Sequence, residues 1–426
     1  MDNYFRKIIN KATRKADHAQ LNSYIIRSNN LKLMDNSIHT MSSMEQKAYI
    51  LKVFLGKKMG VSYSNYPDSG LLDRALKMAK VTNSLDYFYG LPEDPKETDV
   101  KIYDSNTAEQ SEDFFLETGE GILKDLKSPM IKVENADIVS TDTEFSAANS
   151  NGVEKTQKDT KFSINVSVSY KSKGKMFSHW DFNSARRIFD AQPMCKRLKE
   201  TAEMSAKSRK LGTDADTLIL SPKVLYYLCE YAMLPSFLGT NVESKHSTLT
   251  RKLGEQVFSR KLNLSNDGTL DWGFRSERFD YEGTPTRKIQ LVEKGVVKNF
   301  LFDHNIGKFL GKESTGSAAK SGVIFNNIVL DIPKKKDIFS GVDKGVYVTS
   351  ILGAHNSDPI TTDFSVEADK GFYIENGHIK HPISNMSISS SMINLMNNID
   401  RMGQPESIAG FYSGPIRFNN VSVKKS

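Results

Sequence analysis

Cys229 and Glu230, adjacent in the stretch Ser221 to Leu238 (SPKVLYYLCEYAMLPSFL), are a thiol and a carboxylate of the kind that bind metals or move protons. A zinc peptidase helix asks for more: two histidines on one face to hold the ion, and a glutamate between them to activate its water. This stretch has no histidine. Neighbouring helical positions also diverge, so Cys229 and Glu230 are poor joint ligands. The chain's eight histidines are scattered. His378 and His381, three apart on an expected strand, fall on opposite faces. His246 lies among Lys245, Arg251 and Lys252, where a solvated or phosphate-contacting surface fits better than a metal site, and His304 and His355 fall in expected turns. Gly307 to Lys312 is one residue short of a phosphate-binding P-loop, and Gly119-Glu120-Gly121 lacks the third glycine of a dinucleotide fingerprint. Asn263 to Gly268 begins like a calcium loop, but Phe274 stands where the bidentate glutamate belongs. There is no G-x-S-x-G nucleophile elbow.

The elements that must carry these residues follow from periodicity. Ser221 and Pro222 fit the N-cap and first turn of a helix whose apolar face is Val224, Leu225, Leu228 and Ala232. Tyr4, Phe5, Ile8, Ile9 and Ala12 recur at helical spacing against basic neighbours, which predicts a surface helix packed on a sheet. Strands are expected over Tyr24 to Leu33 and Ala48 to Phe54, punctuated by Asp35-Asn36, Gly56 and Gly60. Ser69 is expected to cap a helix through Leu71, Leu72, Ala75, Leu76 and Ala79. The proline-punctuated segment Leu91 to Lys96 reads as a domain boundary. An acidic helix is expected over Thr107 to Lys127, then a hairpin at Asn151-Gly152 and a half-buried strand through Phe162, Ile164, Val166, Val168 and Tyr170. Pro193 to Leu211 reads as a helix closed by Gly212 in a left-handed cap.

From Thr217 onward the chain reads mostly as strands. Hairpins are signalled at Glu293-Lys294-Gly295 and Asn376-Gly377, and Lys334 to Lys336 reads as a solvated loop. Helices are expected around Leu249, Leu253 and Val257, near Ile306 to Leu310, and over Ser391 to Met402 before Gly403. The division is an amino-terminal α/β domain (1–96), a central α/β domain (97–214) and a carboxyl-terminal β-rich domain (215–426), an α+β chain overall.

Composition narrows the class. At 38% hydrophobic and 26% charged, the chain is an ordinary globular one. No apolar run approaches bilayer length, and the first residues lack a secretory apolar core, so a cytoplasmic location without membrane contact is expected. Two cysteines, Cys195 and Cys229, form no C-x-x-C pair and fit a reducing compartment as buried thiols. The net charge of +7 comes from 58 basic against 51 acidic residues, so charge is mixed and nucleic acid is not indicated.

Lys252 to Val257 (KLGEQV) and Tyr281 to Arg287 (YEGTPTR) are followed in order by Lys312 to Gly316 (KESTG), Thr361 to Ser365 (TTDFS) and Ile374 to Gly377 (IENG). Each is short, but their order and spacing together resemble the TldD/PmbA family of peptidases. The resemblance implies a two-lobed fold and an intracellular dimeric peptidase system. In that system a TldD subunit holds zinc through an HExxxH helix and a cysteine near the carboxyl end. Ser221 to Leu238 corresponds to that helix without histidine, and no cysteine follows Cys229, so the resemblance is to the TldE (PmbA) branch. It implies no cofactor on this chain, zinc in a TldD-like partner, a heterodimer or a homodimer, and unfolded or extended peptide as substrate. Glu282, Gly283, Thr284 and Pro285, with Thr362, Asp363, Phe364 and Ser365, are the candidates for shaping a cavity or subunit interface. The sequence departs from the family pattern at Thr362, where a glycine is usual, and around Ser389 to Ser391, where Gly-Asn is usual.

Two other functions are weighed. One is a self-sufficient homodimeric peptidase drawing on Glu230, Cys229 and His246. The other is a nucleic-acid or gyrase-associated regulator, supported by the basic first helix and opposed by interspersed acids.

Overall fold

Long antiparallel strands dominate the amino-terminal lobe, some marked by apolar residues alternating with polar ones and others held by pairing along a neighbouring strand. The computed structural model of the protein describes residues 3–93 and 96–423. This lobe runs α1 (Asn3–Ala12), β1 (His18–Met34), β2 (Ser37–Leu55), β3 (Lys58–Ser64), α2 (Leu71–Val81), α3 (Ser105–Ala108), α4 (Glu112–Asp125), β4 (Ile131–Asn149), β5 (Glu154–Ser172), β6 (Lys175–Ala185) and α5 (Gln192–Ser205). Its six strands form one sheet in the order β3-β2-β1-β4-β5-β6. Strands from both sides of the expected boundary thus hydrogen-bond in one sheet; Asp94 and Pro95 of that segment lie outside the described residues. One sheet face is covered at one end by α1 and α2, on Leu21, Leu51 and Val53. At the other end α4 and α5 cover Leu31, Leu33 and Phe162 to Val168. The opposite face, with Gln20, Asn22 and Tyr24, meets the second lobe.

The carboxyl-terminal lobe continues with β7 (Ala215–Leu220), α6 (Pro222–Leu228), α7 (Gly239–Glu243), β8 (Asn263–Asp267), β9 (Lys288–Glu293), β10 (Val296–Val297), α8 (His304–Phe309), β11 (Asn327–Asp331), β12 (Lys344–Leu352), β13 (Asp363–Glu375), β14 (His378–Ile383), β15 (Met386–Ser391), α9 (Met392–Asn397), β16 (Ile399–Met402), β17 (Glu406–Ile408), β18 (Phe411–Ser413) and β19 (Ile416–Val423). Two sheets result, β10-β9-β8-β11-β18-β17 and β14-β13-β12-β7-β19-β16, with β15 added to β13. They share one core, in which Leu264 and Ile328 of the first meet Leu218, Val346 and Phe418 of the second, with α6 among them. The fold is α+β and two-lobed.

Several local expectations are corrected. Ser69 does not cap α2: Gly70 takes that position, and the Asp68 side chain accepts from the Gly70 N–H at 2.8 Å. Gly60 is no turn residue; it lies inside β3 so that α2 approaches closely, and a Cβ there would sit 1.9 Å from the Ala75 carbonyl oxygen. The acidic helix is two helices, because Ser111 caps α4 anew through Phe114 N. Helix α5 stops at Ser205, well before Gly212. The segment around Leu249 and Leu253 is turns, where the N–H groups of Val257 and Phe258 both reach the Gly295 carbonyl. The helix expected over Ser391 to Met402 ends at Asn397, after which β16 pairs with β19.

Candidate functional site

Helix α6 is set by Ser221, whose hydroxyl accepts from Val224 N at 3.4 Å, and by Pro222, whose missing donor costs nothing in a first turn. The helix runs into a wider π turn at Cys229–Met233 and a tight 3-10 turn at Leu234–Phe237 that contains Pro235. Cys229 is fully buried in the core, and burial pushes its thiol far above the ordinary range. Glu230 turns the other way: its Oε2 lies 3.4 Å from both Nη1 and Nη2 of Arg275. Arg275 is held in turn by the Ala409 carbonyl at 3.0 Å and the Tyr226 hydroxyl at 3.3 Å. His246 is exposed. Cys229, Glu230 and His246 do not meet at a common point: one is in the core, one is spent on an arginine and one faces solvent.

Glu282 to Pro285 belongs to a junction between the two lobes. Asp280 is buried, and its carboxylate accepts from Glu282 N, Thr284 N and Ala318 N at 2.9 to 3.0 Å, folding the turn. Gly283 has a φ of 85°, and a Cβ there would sit 2.4 Å from Val153 Cγ1. From the first lobe, Gln20 and Asn22 both donate to the Tyr281 carbonyl, Lys155 donates to the Gly283 carbonyl at 3.0 Å, and the Lys52 ammonium lies 4.8 Å from the centre of the Tyr281 ring. Burial raises the carboxyl groups here, Asp280 to about 7 and Glu282 to about 8. Three backbone donors oppose the rise at Asp280; Glu282 has only His304 N, at 3.0 Å, and feels the charges of Asp280 and Asp303, so Glu282 is the one that keeps a proton.

Thr362 to Ser365 forms a strand corner. Asp363, Phe364 and Ser365 pair with Ser391, Ser390 and Ser389 of β15, and the hydroxyls of Ser365 and Ser389 are 2.8 Å apart. Phe364 is in the core. Thr362 keeps a left-handed φ of 69° although it is β-branched, and its buried hydroxyl has no hydrogen-bond partner.

A further depression lies between the lobes beside the start of α6. Two adjoining cavities of about 370 and 340 Å³ share His179, Thr201, Met204, Thr349, Lys370 and Phe372. None of the eight residues singled out in the sequence lines either cavity. One wall is β6, which among the described residues pairs only with β5; facing it is β17, which among them pairs only with β18. Lys223 of α6 places its ammonium 3.9 Å from the centre of the Trp180 ring and 3.3 Å from Asp181 Oδ1. His179 is buried, with Nε2 2.8 Å from Ser205 Oγ. That hydroxyl spends its own proton on the Thr201 carbonyl, so the imidazole donates from Nε2, and burial together with Lys370 lowers its pKa to about 4. The only linear signal for this site is the alternation of β6, where His179 and Asp181 face one way and Trp180 and Phe182 the other.

Residues 213–425 match the sequence model of the PmbA/TldA metallopeptidase C-terminal domain. The chain belongs to the PmbA/TldD metallopeptidase family. A Methanocaldococcus jannaschii protein of uncharacterised function is 33% identical over 279 residues, 63% of this chain and 65% of that protein, just under two thirds of its length. A PmbA metalloprotease homologue of Buchnera aphidicola is 26% identical over 346 residues, 77% of this chain and 74% of its own. The crystal structure of TldE from Thermococcus kodakarensis superposes with a TM-score of 0.92 at 23% identity, over 99% of this chain and 100% of that one, which shows the shared fold.

The family name implies a metal, so the donor set of α6 has to be weighed against one. It does not fit: Cys229 is a core thiol held protonated by burial, Glu230 is committed to Arg275, and the helix has no imidazole. Among the described residues no group of three or more histidine, cysteine, aspartate or glutamate side chains has a metal-holding arrangement. Among them, too, no helix is long and apolar enough to cross a membrane.

Proposed function

We propose that this protein is the zinc-free, TldE-like subunit of a TldD/TldE-type intracellular peptidase, pairing with a TldD-like chain that carries the metal. The observation that carries this reading is the Glu230–Arg275 pair on α6. A general base must have a free carboxylate facing bound water, whereas this one lies against a guanidinium that is itself fixed by Ala409 and Tyr226. The substrate class is unfolded or extended peptide, because β6 and β17 offer edges across the interlobe cleft that no strand among the described residues covers, and a strand edge binds a peptide backbone whatever its side chains. The reading places the complex in the cytoplasm.

Co-expression with a TldD-like chain tests the pairing. Stable association is expected. Glu230→Ala and Cys229→Ala should leave peptide cleavage by the reconstituted complex within a few-fold of the parent, whereas loss of a general base costs about 10²- to 10⁴-fold. Failure to associate, or a loss of two orders of magnitude in turnover with folding and pairing intact, would overturn the reading.

A further inference from the structure

We propose that the chamber between β6, α5, β13 and β14 is a subsite for a neutral carboxamide, the side chain of a glutamine or asparagine in an extended peptide paired with the outer edge of β6. The inference rests on the peptide-handling reading above and adds to it a side-chain class.

Two buried acceptors without donors come first. His179 is 2% exposed and lines both cavities. Its Nε2 carries the proton directed at Ser205 Oγ, so Nδ1 is a bare lone pair, and that atom is buried with no hydrogen-bond partner. Asp369 of β13 lines the second cavity; Lys370 lies 3.2 Å from its Oδ2, whereas its Oδ1 is buried without a partner. Ser208, just past α5, lines the same cavity with a hydroxyl that is buried and equally unpartnered. A buried acceptor left without a donor is costly, so this chamber favours a group that brings more than one N–H or O–H.

Charge then says which kind of donor. The cations lining the two cavities, Arg197, Lys223 and Lys370, are matched by the carboxylates Asp181, Glu200 and Asp369. The remaining acid, Glu406, is pushed towards its neutral form by burial, against the pull of Arg197, and His179 is uncharged at neutral pH. A wall balanced in this way offers no spare counter-ion to a carboxylate or to an ammonium. A primary amide carries no charge, has two N–H donors for His179 and Asp369, and has an oxygen that accepts from Ser208 or Lys370. A serine or threonine hydroxyl has only one donor.

Shape connects the subsite to the strand edge. The chamber of about 340 Å³ is mostly polar, with Phe177, Met204, Phe372 and Ile383 to pack the methylenes of the side chain. Residues directly opposed across two paired strands project to the same face. No strand of the described residues covers the outer edge of β6. A peptide residue seated there opposite His179 therefore turns its side chain to the face on which Phe177 and His179 line the chamber.

Calorimetric titration of the chain alone reads the subsite. The probes are Ala-Val-Gln-Val-Ala and Ala-Val-Asn-Val-Ala, capped by acetyl and N-methylamide groups so that the only primary amide is the central one. The tighter of the two should bind saturably. Its N,N-dimethyl amide keeps the oxygen and loses both N–H groups, and should bind about tenfold or more weakly. Peptides with glutamate, lysine or leucine at the centre should fall with the dimethyl amide. Asp369→Asn can present a donor where the parent has only acceptors, and should erase the difference between amide and dimethyl amide with an unchanged circular dichroism spectrum. Should that variant misfold, the ratio in the parent decides alone. Equal affinity of amide and dimethyl amide, which would mean that solvent serves the two acceptors, tightest binding of the glutamate, lysine or leucine peptide, or no heat of binding up to millimolar peptide would each overturn the proposal. Equal binding of every peptide would sink the subsite and leave the strand-edge reading standing. A carboxamide preference in a chain that never pairs with a TldD-like partner would do the reverse for the subunit reading.

Discussion

Thr362→Gly should stabilise the carboxyl-terminal lobe, against the usual direction of a substitution to glycine. The native φ is 69°, a region where a β-branched side chain meets its own backbone, at a cost of about 1–2 kcal/mol. The threonine hydroxyl is buried without a partner, which adds a penalty of about 1 kcal/mol at the lower end of the range for such groups. Against these stand the extra freedom of an unfolded glycine, about 0.5–1 kcal/mol, and the loss of two buried carbons, Cβ and Cγ2, about 0.8 kcal/mol each. For a β-branched residue the strain sits at the upper end of its range, so the balance is a gain of about 0.5 kcal/mol. Thr362→Val separates the two contributions, since it keeps the strain and the volume but removes the hydroxyl; it should recover the hydroxyl part alone. Urea unfolding followed by circular dichroism, at fixed pH and salt, gives the midpoints to compare. The reasoning is refuted if the glycine variant unfolds at lower urea than the parent, because then neither strain nor an orphan hydroxyl is present at Thr362.

Gly60→Ala should do the opposite: its Cβ would meet the Ala75 carbonyl and the Ala79 amide of α2, backbone that cannot swing aside, so a loss of about 1–3 kcal/mol is expected in the same assay. Arg275→Met leaves Glu230 without its cation and should cost about 1–3 kcal/mol in urea unfolding while leaving the chain's metal content unchanged. Glu282 gives a pH signature. Its folded pKa of about 8 lies above that of an unfolded glutamate, so the folded state holds the extra proton, and this stabilisation is full below about 4.3 and is lost as pH rises through about 8. Urea midpoints at pH 5, 7 and 8.5 should fall more steeply for the parent than for Glu282→Gln; parallel profiles would show that Glu282 ionises freely.

Local signals in the sequence were reliable where one short-range interaction decides the backbone. Lys294-Gly295 and Asn376-Gly377 do turn hairpins, with φ of 47° and 80°, and 50° and 75°. Phe162, Ile164, Val166 and Val168 are buried on one face of β5, as their alternation requires. Ser221-Pro222 does open α6. Signals failed where a tertiary contact decides instead. The first part of β2, Ser37 to Lys47, is almost wholly exposed, so no apolar alternation announces a strand; pairing with β1 along its length holds it. Leu249, Leu253 and Val257 have helical spacing, yet the Gly295 carbonyl captures the Val257 and Phe258 amides and prevents a helix. Glu282 to Pro285 was legible as a special segment, though its role in the fold is the lobe junction. The cleft left no linear signal beyond the alternation of β6, because His179, Lys223, Lys370 and Glu406 come from four elements far apart in the chain and share no spacing.

The central claim is that this chain carries no zinc chemistry of its own, and metal analysis of the protein purified without a partner tests it most directly. Well under one zinc per chain is predicted, together with no cleavage of an unfolded peptide, and with cleavage appearing only when a TldD-like chain is added. One zinc per chain with chelator-sensitive cleavage by the protein alone would contradict the account.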